Sequence, residues 1–292
     1  MPKKIKKIVI ILVLSISIIF IAIYVCKNIN IFDKNLEENI NEKIVSVDVS
    51  KYDEDNKFVL NAAMESYCKI NNLASSKESI VNLLALADLQ YLERPEYINY
   101  DHDFLVDRIN TISMLVNMDF AVSLGDLNYS VAEKEVSYDR LKYITEKFSN
   151  FNVPTLFVKG NHDCYYSKDA NGDLTPEEYF NVTFKDYNDL YKFNVNDKNA
   201  PYYYIDIENK KTRICVLNSF SAGHYERVIN DEQLKFIAYD MLNFSLKEKP
   251  EEWTIVFFIH TLVPTTVHPE EVEGADSLLN ILQAYKEGKD YN

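Results

Sequence analysis

The chain has 292 residues, of which 47% are hydrophobic, 13% aromatic and 26% charged. This composition supports one sizeable hydrophobic core, and with only six glycines and eight prolines it excludes a disordered or collagen-like chain. The formal net charge is −14; with the five lysines of the first thirty residues set aside, 26 basic residues face 45 acidic ones. Such a body repels polyanions, so we expect no duplex nucleic acid partner.

The N-terminal segment combines a basic stretch with a long apolar run. Lysines occupy four of residues 3–7, and no charged residue occurs from Ile8 to Cys26. As a helix this run would span about 28 Å, close to the ~30 Å hydrocarbon core of a bilayer. A cleavable signal peptide is the main alternative, but the run ends without a small-x-small cleavage site. We therefore predict a cytoplasmic segment at 1–7 and a single-pass signal anchor at 8–26 in the cell membrane, with the body extracytoplasmic.

Residues 27–76 are rich in Asn, Asp, Glu and Lys and are interpreted as a tether and lead-in to a domain at 77–292. Strands and helices alternate along this domain, which favours an α/β fold with covered sheets. Strands are predicted at 79–87, 119–124, 154–158 and 253–259, a hairpin at 202–207 and 213–219, and helices at 103–116 and 132–148. Further helices are predicted to begin at Thr175-Pro176 and near Asn230, the latter running to about Leu246.

Candidate metal ligands directly follow four of these strands. In chain order they are Asp88-Leu89-Gln90, Gly125-Asp126-Leu127-Asn128, Gly160-Asn161-His162-Asp163 and His260. Open α/β sheets place their ligands at the carboxyl ends of strands, and the two glycines permit sharp turns there. Carboxylate, amide and imidazole ligands suit divalent manganese, iron or zinc. A shared carboxylate would hold two such ions ~3.5–4 Å apart, as required for in-line displacement at phosphorus.

The ordered series D-x-[HQ], GD-x-N, GNHD and a later isolated His resembles the calcineurin-like metallophosphoesterase superfamily over roughly residues 81–284. The resemblance implies a two-sheet αββα sandwich that hydrolyses a phosphate mono- or diester with two divalent metal ions. It implies that Asp88 binds the first ion, that Asp126 bridges both, and that Asn161 and His260 bind the second. It also implies that His162 lies beside the leaving-group oxygen and that Asp163 orients the imidazole of His162.

The chain departs from the family pattern at two places. Gln90 stands where the family usually has His; its position favours a metal ligand, whereas its weaker amide oxygen does not. The sequence also contains no Gly-His-x-His motif, which in the family supplies one ligand to each ion, so we expect the domain to be incomplete at its C-terminus. The alternative function is therefore a catalytically defective, surface-anchored relative with a binding or structural role. A serine hydrolase is disfavoured, because no G-x-S-x-G motif is present.

Other polar residues are open to a functional and a purely structural interpretation. Asn128 fits either a supporting contact near Asp126 or a turn. The remaining histidines, His102, His224 and His268, are more simply explained as residues of loops and helix starts. The two tyrosines after GNHD, Tyr165 and Tyr166, need no functional explanation because tyrosine is abundant in the chain. The predicted partners are a phosphorylated small molecule or phosphodiester as substrate, and the membrane through the N-terminal helix.

Overall fold

The computed structural model describes residues 8–10, 81–91, 106, 110, 118–129, 133–151, 153–163, 174–184, 190–197, 199–220, 227–261 and 272–289. Within these residues the strands form two sheets. The smaller contains β2 (Leu83–Leu86), β3 (Phe120–Ser123) and β4 (Thr155–Phe157), all parallel and in that order. The larger contains β1 (Ile8–Ile10), β5 (Lys192–Phe193), β6 (Tyr203–Ile207), β7 (Thr212–Val216) and β8 (Thr254–Phe258). Its spatial order is β1-β8-β7-β6-β5.

The larger sheet is mixed. β6 pairs antiparallel with β5 and β7, whereas β8 runs parallel to β7 and β1. The predicted hairpin is therefore confirmed, and its turn is a 3-10 helix, Glu208–Lys210, followed by Lys211 in the left-handed region at φ 45°. The helices are α1 (Lys134–Ser149), α2 (Pro176–Thr183), α3 (Asp231–Phe236) and α4 (Ala275–Glu287). Of the helix predicted at 103–116, the structure describes Val106 and Asn110, both helical.

Side chains alternate along the central strands of the larger sheet, and this divides the core in two. Ile214 and Val216 of β7 pack in one cluster with the three-stranded sheet, α1 and α2. Cys215 on β7 and Leu217 just after it pack in the other, with α3 and α4. The two sheets therefore face each other, with helices on the outer face of the larger one. The mixed α/β fold with two sheets is confirmed, and the complete αββα layering stays a prediction.

The helix starts follow the predicted capping chemistry. The Thr175 hydroxyl accepts from the Glu178 amide at 3.1 Å, the Glu178 carboxylate accepts from the Thr175 amide at 2.8 Å, and Pro176 opens the helix. The Asn230 side chain caps α3 in the same way, through the Gln233 amide at 2.8 Å. The helix predicted to reach about Leu246 is nevertheless shorter: α3 ends at Phe236 and a π-helical turn, Ile237–Met241, completes it.

Arg213 of β7 provides the physical reason why the helical segment stops after the π-helical turn. Its Nη1 donates to the carbonyls of Asp240, Met241 and Asn243 at 3.1, 2.9 and 2.9 Å, which takes up the acceptors that close the helical segment. The guanidinium also binds the Asp206 carboxylate through two nitrogens, at 2.6 and 2.7 Å. A buried arginine on the sheet thus decides where the helix ends.

The anchor prediction meets described structure only at residues 8–10. These residues form β1, with Ile8 opposite Ile255 of β8, so they are a strand where a helix was predicted. The Ile-Val-Ile sequence is rich in β-branched residues, which favour an edge strand as well as an apolar helix. Residues 1–7 and 11–26, and the tether and lead-in at 27–76, lie outside the described residues. In the part of the chain that the structure describes, no helix has the length and apolarity needed to cross a bilayer.

Candidate metal centre

The loops that follow β2 and β3 run side by side. The backbone amide of Asp88 donates to the carbonyl of Gly125 at 3.1 Å, and that of Gln90 donates to the carbonyl of Asp126 at 2.8 Å. These bonds continue the pairing of the parallel strands beyond their ends. Asp88 and Asp126 are therefore placed at the same edge of the sheet, as the sequence predicted.

Three of the predicted ligands converge at this edge. One carboxylate oxygen from each of Asp88 and Asp126 and one ring nitrogen of His260 lie within 4.8 Å of one another. Asp126 is buried, His260 is half-buried and Asp88 is exposed, so the cluster opens to solvent on the Asp88 side. His260 arrives from the larger sheet, two residues after β8, so both sheets contribute to the cluster.

His260 is oriented as a metal ligand would be. Its Nδ1 lies 2.8 Å from the carbonyl oxygen of Leu124. A carbonyl oxygen only accepts, so Nδ1 carries the hydrogen and Nε2 presents its lone pair. Nε2 lies 3.6 Å from Oδ2 of Asp126. Two electron-pair donors face each other across this gap, an arrangement that a cation between them would stabilise.

The electrostatics of Asp126 also fit a cation. Burial raises the pKa of the Asp126 carboxyl to about 7; His260 opposes the shift, Asp163 and Asp88 add to it, and the backbone amide of His162 lowers it. That amide donates to Oδ1 of Asp126 at 2.8 Å. A divalent ion beside the carboxylate would favour its ionised form. The donor set present in the chain therefore fits a divalent metal.

Two glycines allow the loops to approach closely. A Cβ atom on Gly125, whose φ is +104°, would lie 2.4 Å from Nδ1 of His260. A Cβ atom on Gly160 would lie 2.1 Å from Oδ1 and 2.3 Å from the backbone nitrogen of Asp126. Neither position has room for any side chain. The sequence predicted a turn at both glycines, and the structure adds that each is in direct contact with a candidate ligand.

The backbone is strained at three of the predicted ligands. Asp88, Gln90 and Asp126 have φ values of 54°, 45° and 55°, in the left-handed region that non-glycine residues rarely adopt. Three such residues in two adjacent loops indicate a functional constraint, because strained conformations persist only where surrounding structure enforces them.

Asp163 has different partners from those predicted. The resemblance assigned it to the His162 imidazole, but its fully buried carboxylate accepts from three backbone amides. These belong to Gly160 at 2.8 Å, Asp126 at 3.1 Å and Asn128 at 3.1 Å. Asp163 therefore joins the GNHD loop to the GD-x-N loop. Its charge still acts on His162 through space and opposes the fall in that residue's pKa, which burial causes.

Tyr129 is a site residue that the sequence interpretation missed. Its ring stacks on the His162 imidazole, with centroids 5.8 Å apart and planes 10° apart. Its backbone is held on both sides, by the Tyr91 carbonyl at 3.1 Å and by Nη1 of Arg140 at 3.3 Å. The sequence feature that could have indicated Tyr129 is its position three residues after Asp126. Phe220 is a second aromatic neighbour of the cluster, 5.7 Å from the His260 ring, and nothing in the sequence indicated it.

The remaining predicted residues lie in the same loops. Gln90 and Asn161 are half-buried beside Asp88 and Gly160, and their ligand roles stay predictions. Asn128 is fully buried, and its Nδ2 donates to Oγ of Ser137 at 2.7 Å, in the first turn of α1. Of its two open interpretations, the structure therefore favours a supporting role: Asn128 ties the loop after β3 to α1.

The sequence as a whole matches a known family. The model of the calcineurin-like phosphoesterase family, Metallophos, matches residues 81–287. The chain belongs to this family. The use of divalent metals by this family agrees with the donor set described above.

Individual similar proteins are distant. A manganese-dependent ADP-ribose/CDP-alcohol diphosphatase from Oryza sativa subsp. japonica is 26% identical over 103 residues, which are 32% of this chain and 32% of that protein. The match thus spans about a third of the length of that relative. A dimetal phosphatase from Danio rerio has a TM-score of 0.46 at 11% identity, covering 70% of this chain and 78% of its own. A purple acid phosphatase from yellow lupin (Lupinus luteus) seeds has a TM-score of 0.48 at 18% identity, and the match covers 71% of this chain and 36% of that chain.

Proposed function

We propose that this chain hydrolyses a small phosphate mono- or diester with two divalent metal ions held by the loops after β2, β3, β4 and β8. The observation that carries the proposal is the convergence of Asp88, Asp126 and His260 within 4.8 Å, with His260 oriented by the Leu124 carbonyl. Manganese, iron or zinc would suit this set. When bound, the metal would supply Lewis-acid polarisation of the phosphoryl group and a water of lowered pKa.

Each residue has a role that its position supports. Asp126 is buried at the centre of the cluster and is proposed to bridge the two ions. Asp88 would hold the first ion with the Gln90 amide oxygen, and His260 would hold the second with Asn161. His162, whose ring is held against Tyr129, would donate a hydrogen bond to the leaving-group oxygen.

The substrate class follows from charge and access. The acidic body disfavours a nucleic acid, whereas the solvent-exposed Asp88 side of the cluster leaves room for a small phosphorylated molecule. The rice relative is named for the cleavage of ADP-ribose and CDP-alcohols, that is, of diphosphate linkages in small molecules. We propose substrates of this size, with phosphodiester or diphosphate linkages as the first to be tested.

The test compares two carboxylates that flank the same strand, β3. The purified chain is assayed with Mn²⁺ on bis(4-nitrophenyl) phosphate, 4-nitrophenyl phosphate and ADP-ribose, as wild type, Asp126→Asn and Asp119→Asn. Asp119 lies at the opposite end of β3, where it binds Lys210 at 2.6 Å and the Asn82 amide at 2.7 Å. Asp126→Asn should lose turnover and Mn²⁺, whereas Asp119→Asn should keep both and unfold more easily. Wild-type turnover no higher than that of Asp126→Asn would refute the enzyme proposal.

The alternative is a catalytically defective relative with a binding or structural role. It is supported by Gln90, which stands in place of a family histidine. Metal analysis of the purified chain separates the two functions. Two equivalents of bound metal with turnover support the hydrolase. Bound metal without turnover on any of the three esters, or no bound metal, supports the alternative.

We further propose that residues 8–26 anchor the protein in the cell membrane with the domain outside. The support is the uncharged run preceded by lysines, which favour a cytoplasmic N-terminus. Removal of residues 1–26 tests this, because β1 lies within the deleted segment. An anchor predicts that the truncated protein leaves the membrane fraction with unchanged stability. If the truncated protein is less stable but stays in the same cell fraction as the full chain, the result would instead favour β1 as a structural part of the sheet.

A further inference from the structure

Arg140 on α1 lies close to the candidate metal centre. Its Nη1 donates to the carbonyl oxygen of Tyr129 at 3.3 Å, and the ring of Tyr129 stacks on the His162 imidazole. The amide of Tyr129 is in turn bound to the Tyr91 carbonyl at 3.1 Å, which fixes the backbone of Tyr129 against the loop after β2. A single residue therefore separates the Arg140 guanidinium from the imidazole that is proposed to meet the leaving group.

Most of the hydrogen-bonding capacity of this guanidinium is unused. An arginine side chain carries five N–H donors. Among the residues that the structure describes, the Tyr129 carbonyl is the one acceptor that the Arg140 side chain binds. The Nε atom is buried without a partner, whereas Nη2, which has no partner there either, remains accessible on the half-buried side chain. Nη2 can therefore donate to a molecule that enters from solvent.

Other basic residues of this acidic chain pair with carboxylates. The chain has 45 acidic and 31 basic residues, so carboxylates are plentiful. Arg213 binds the Asp206 carboxylate through two nitrogens, at 2.6 and 2.7 Å, and Lys134 at the start of α1 pairs with Glu178 at 2.8 Å. Arg140 binds no carboxylate among the described residues. Because a guanidinium binds phosphate and carboxylate oxygens strongly, this position beside a phosphoester site favours an anionic ligand.

We propose that Arg140 binds an anionic group on the leaving portion of the substrate and so determines specificity. The inference rests on the proposed function, because it takes the position of the leaving group from the role of His162. The preferred substrates are then phosphate esters or diphosphates whose leaving portion itself carries a phosphate or carboxylate. The metal ligands and His162 act on the bond that is cleaved, and Arg140 acts on the far end of the group that leaves.

The test uses two phosphonates of the same shape, 4-(phosphonomethyl)benzoate and 4-(phosphonomethyl)benzamide. A P–C bond replaces the ester in both, so neither can be hydrolysed, and they differ by one negative charge. Their benzene ring places that charge away from the phosphorus, much as the Tyr129 side chain separates Arg140 from His162. The Kd of each is measured by calorimetry on the full chain with Mn²⁺. Wild type should bind the benzoate on the order of tenfold more tightly than the benzamide.

Three variants assign this preference to a residue. Arg140→Gln should bind the two phosphonates about equally, and Arg140→Lys, which keeps the charge but not the planar fork, should show an intermediate preference. Lys142→Gln is the matched control: Lys142 is exposed on α1, two positions on and therefore on another face of the helix, so the full preference should remain. Equal weakening of both phosphonates in Arg140→Gln would show that Arg140 only supports Tyr129, and would overturn the proposal.

Turnover of 4-nitrophenyl phosphate by the wild-type chain separates this inference from the proposed function. A benzoate preference that Arg140→Gln abolishes supports the role of Arg140 even without turnover, in which case the hydrolase proposal fails alone. Turnover by a chain that binds both phosphonates equally overturns the role of Arg140 and leaves the hydrolase in place. Absence of both binding and turnover overturns both.

Discussion

Gly160 is the position where one added methyl group would most directly perturb the proposed metal centre. In Gly160→Ala the new Cβ would lie 2.1 Å from Oδ1 and 2.3 Å from the backbone nitrogen of Asp126, distances below the 3.0 Å that Cβ atoms normally keep. The nitrogen is backbone and cannot move aside by a change of rotamer. The loops after β3 and β4 would therefore have to separate by roughly 1 Å.

The magnitude follows from the contacts that this separation would break. Asp163, in the loop after β4, accepts from the backbone amides of Asp126 and Asn128 in the loop after β3, both at 3.1 Å, and so joins the two loops. Hydrogen bonds to a charged group contribute about 1.5–3 kcal/mol each, so Gly160→Ala should lower the free energy of unfolding by about 3 kcal/mol. A displacement of ~1 Å at a reacting centre lowers turnover on the order of 100-fold.

The assay pairs urea unfolding with calorimetric titration of Mn²⁺ and turnover of bis(4-nitrophenyl) phosphate. Gly288→Ala is the matched control, because Gly288 has φ +66° and no heavy atom within 4 Å of an added Cβ. It should cost about 1 kcal/mol through backbone strain alone, with unchanged Mn²⁺ affinity and turnover. Wild-type stability and Mn²⁺ binding in Gly160→Ala would show that the two loops do not meet as described.

Variants of three further residues test other contacts. Asp163→Asn should lower the free energy of unfolding by about 3 kcal/mol in urea, because the buried carboxylate accepts from three amides; an unchanged midpoint would contradict this. Tyr129→Leu should slow the hydrolysis of esters with poor leaving groups more than that of esters with good ones, since the Tyr129 ring holds His162. Tyr129→Phe should resemble wild type. Equal losses of turnover on both kinds of ester would count against the stacking role. Arg213→Lys should cost about 3 kcal/mol at neutral pH. Burial alone would raise the pKa of Asp206, but hydrogen bonds from Arg213 and Lys247 hold the pKa below its ordinary value, so this stability is present above pH ~4 and lost as pH falls further. The difference in free energy of unfolding between wild type and Arg213→Lys should therefore become smaller in acid. A difference that does not change with pH would refute the pairing of Arg213 with Asp206.

Local chemistry was enough to predict most of the elements. The strands before Asp88, Asp126 and Asn161 are short apolar runs that end in polar residues, and all three are found as parallel strands of one sheet. The helix start at Thr175-Pro176 depends on neighbouring residues and was equally readable. The stop of the helical segment after Met241 was not, because the last carbonyls of that segment bind Arg213 from another element.

The same distinction applies within the candidate site. That Asp88, Asp126 and His260 would lie together could be inferred, because each follows the carboxyl end of a strand, where α/β folds place their ligands. The partners of Asp163 could not be inferred from the sequence, since a buried carboxylate bonds whichever amides the surrounding loops present. The stacking of Tyr129 on His162 was missed for a similar reason: with 21 tyrosines in the chain, the residue type carries no information about its neighbour.

By itself, the sequence determined which ligand types end which strands, and in what order. This information is local, because each motif needs only its own strand, its glycine and its polar residue. The tertiary structure decided which atoms meet. His260 is aimed by a carbonyl 136 residues earlier, and Asp163 binds an amide 37 residues earlier. Such contacts depend on how two sheets pack face to face, and packing is a property of the whole core rather than of any one segment.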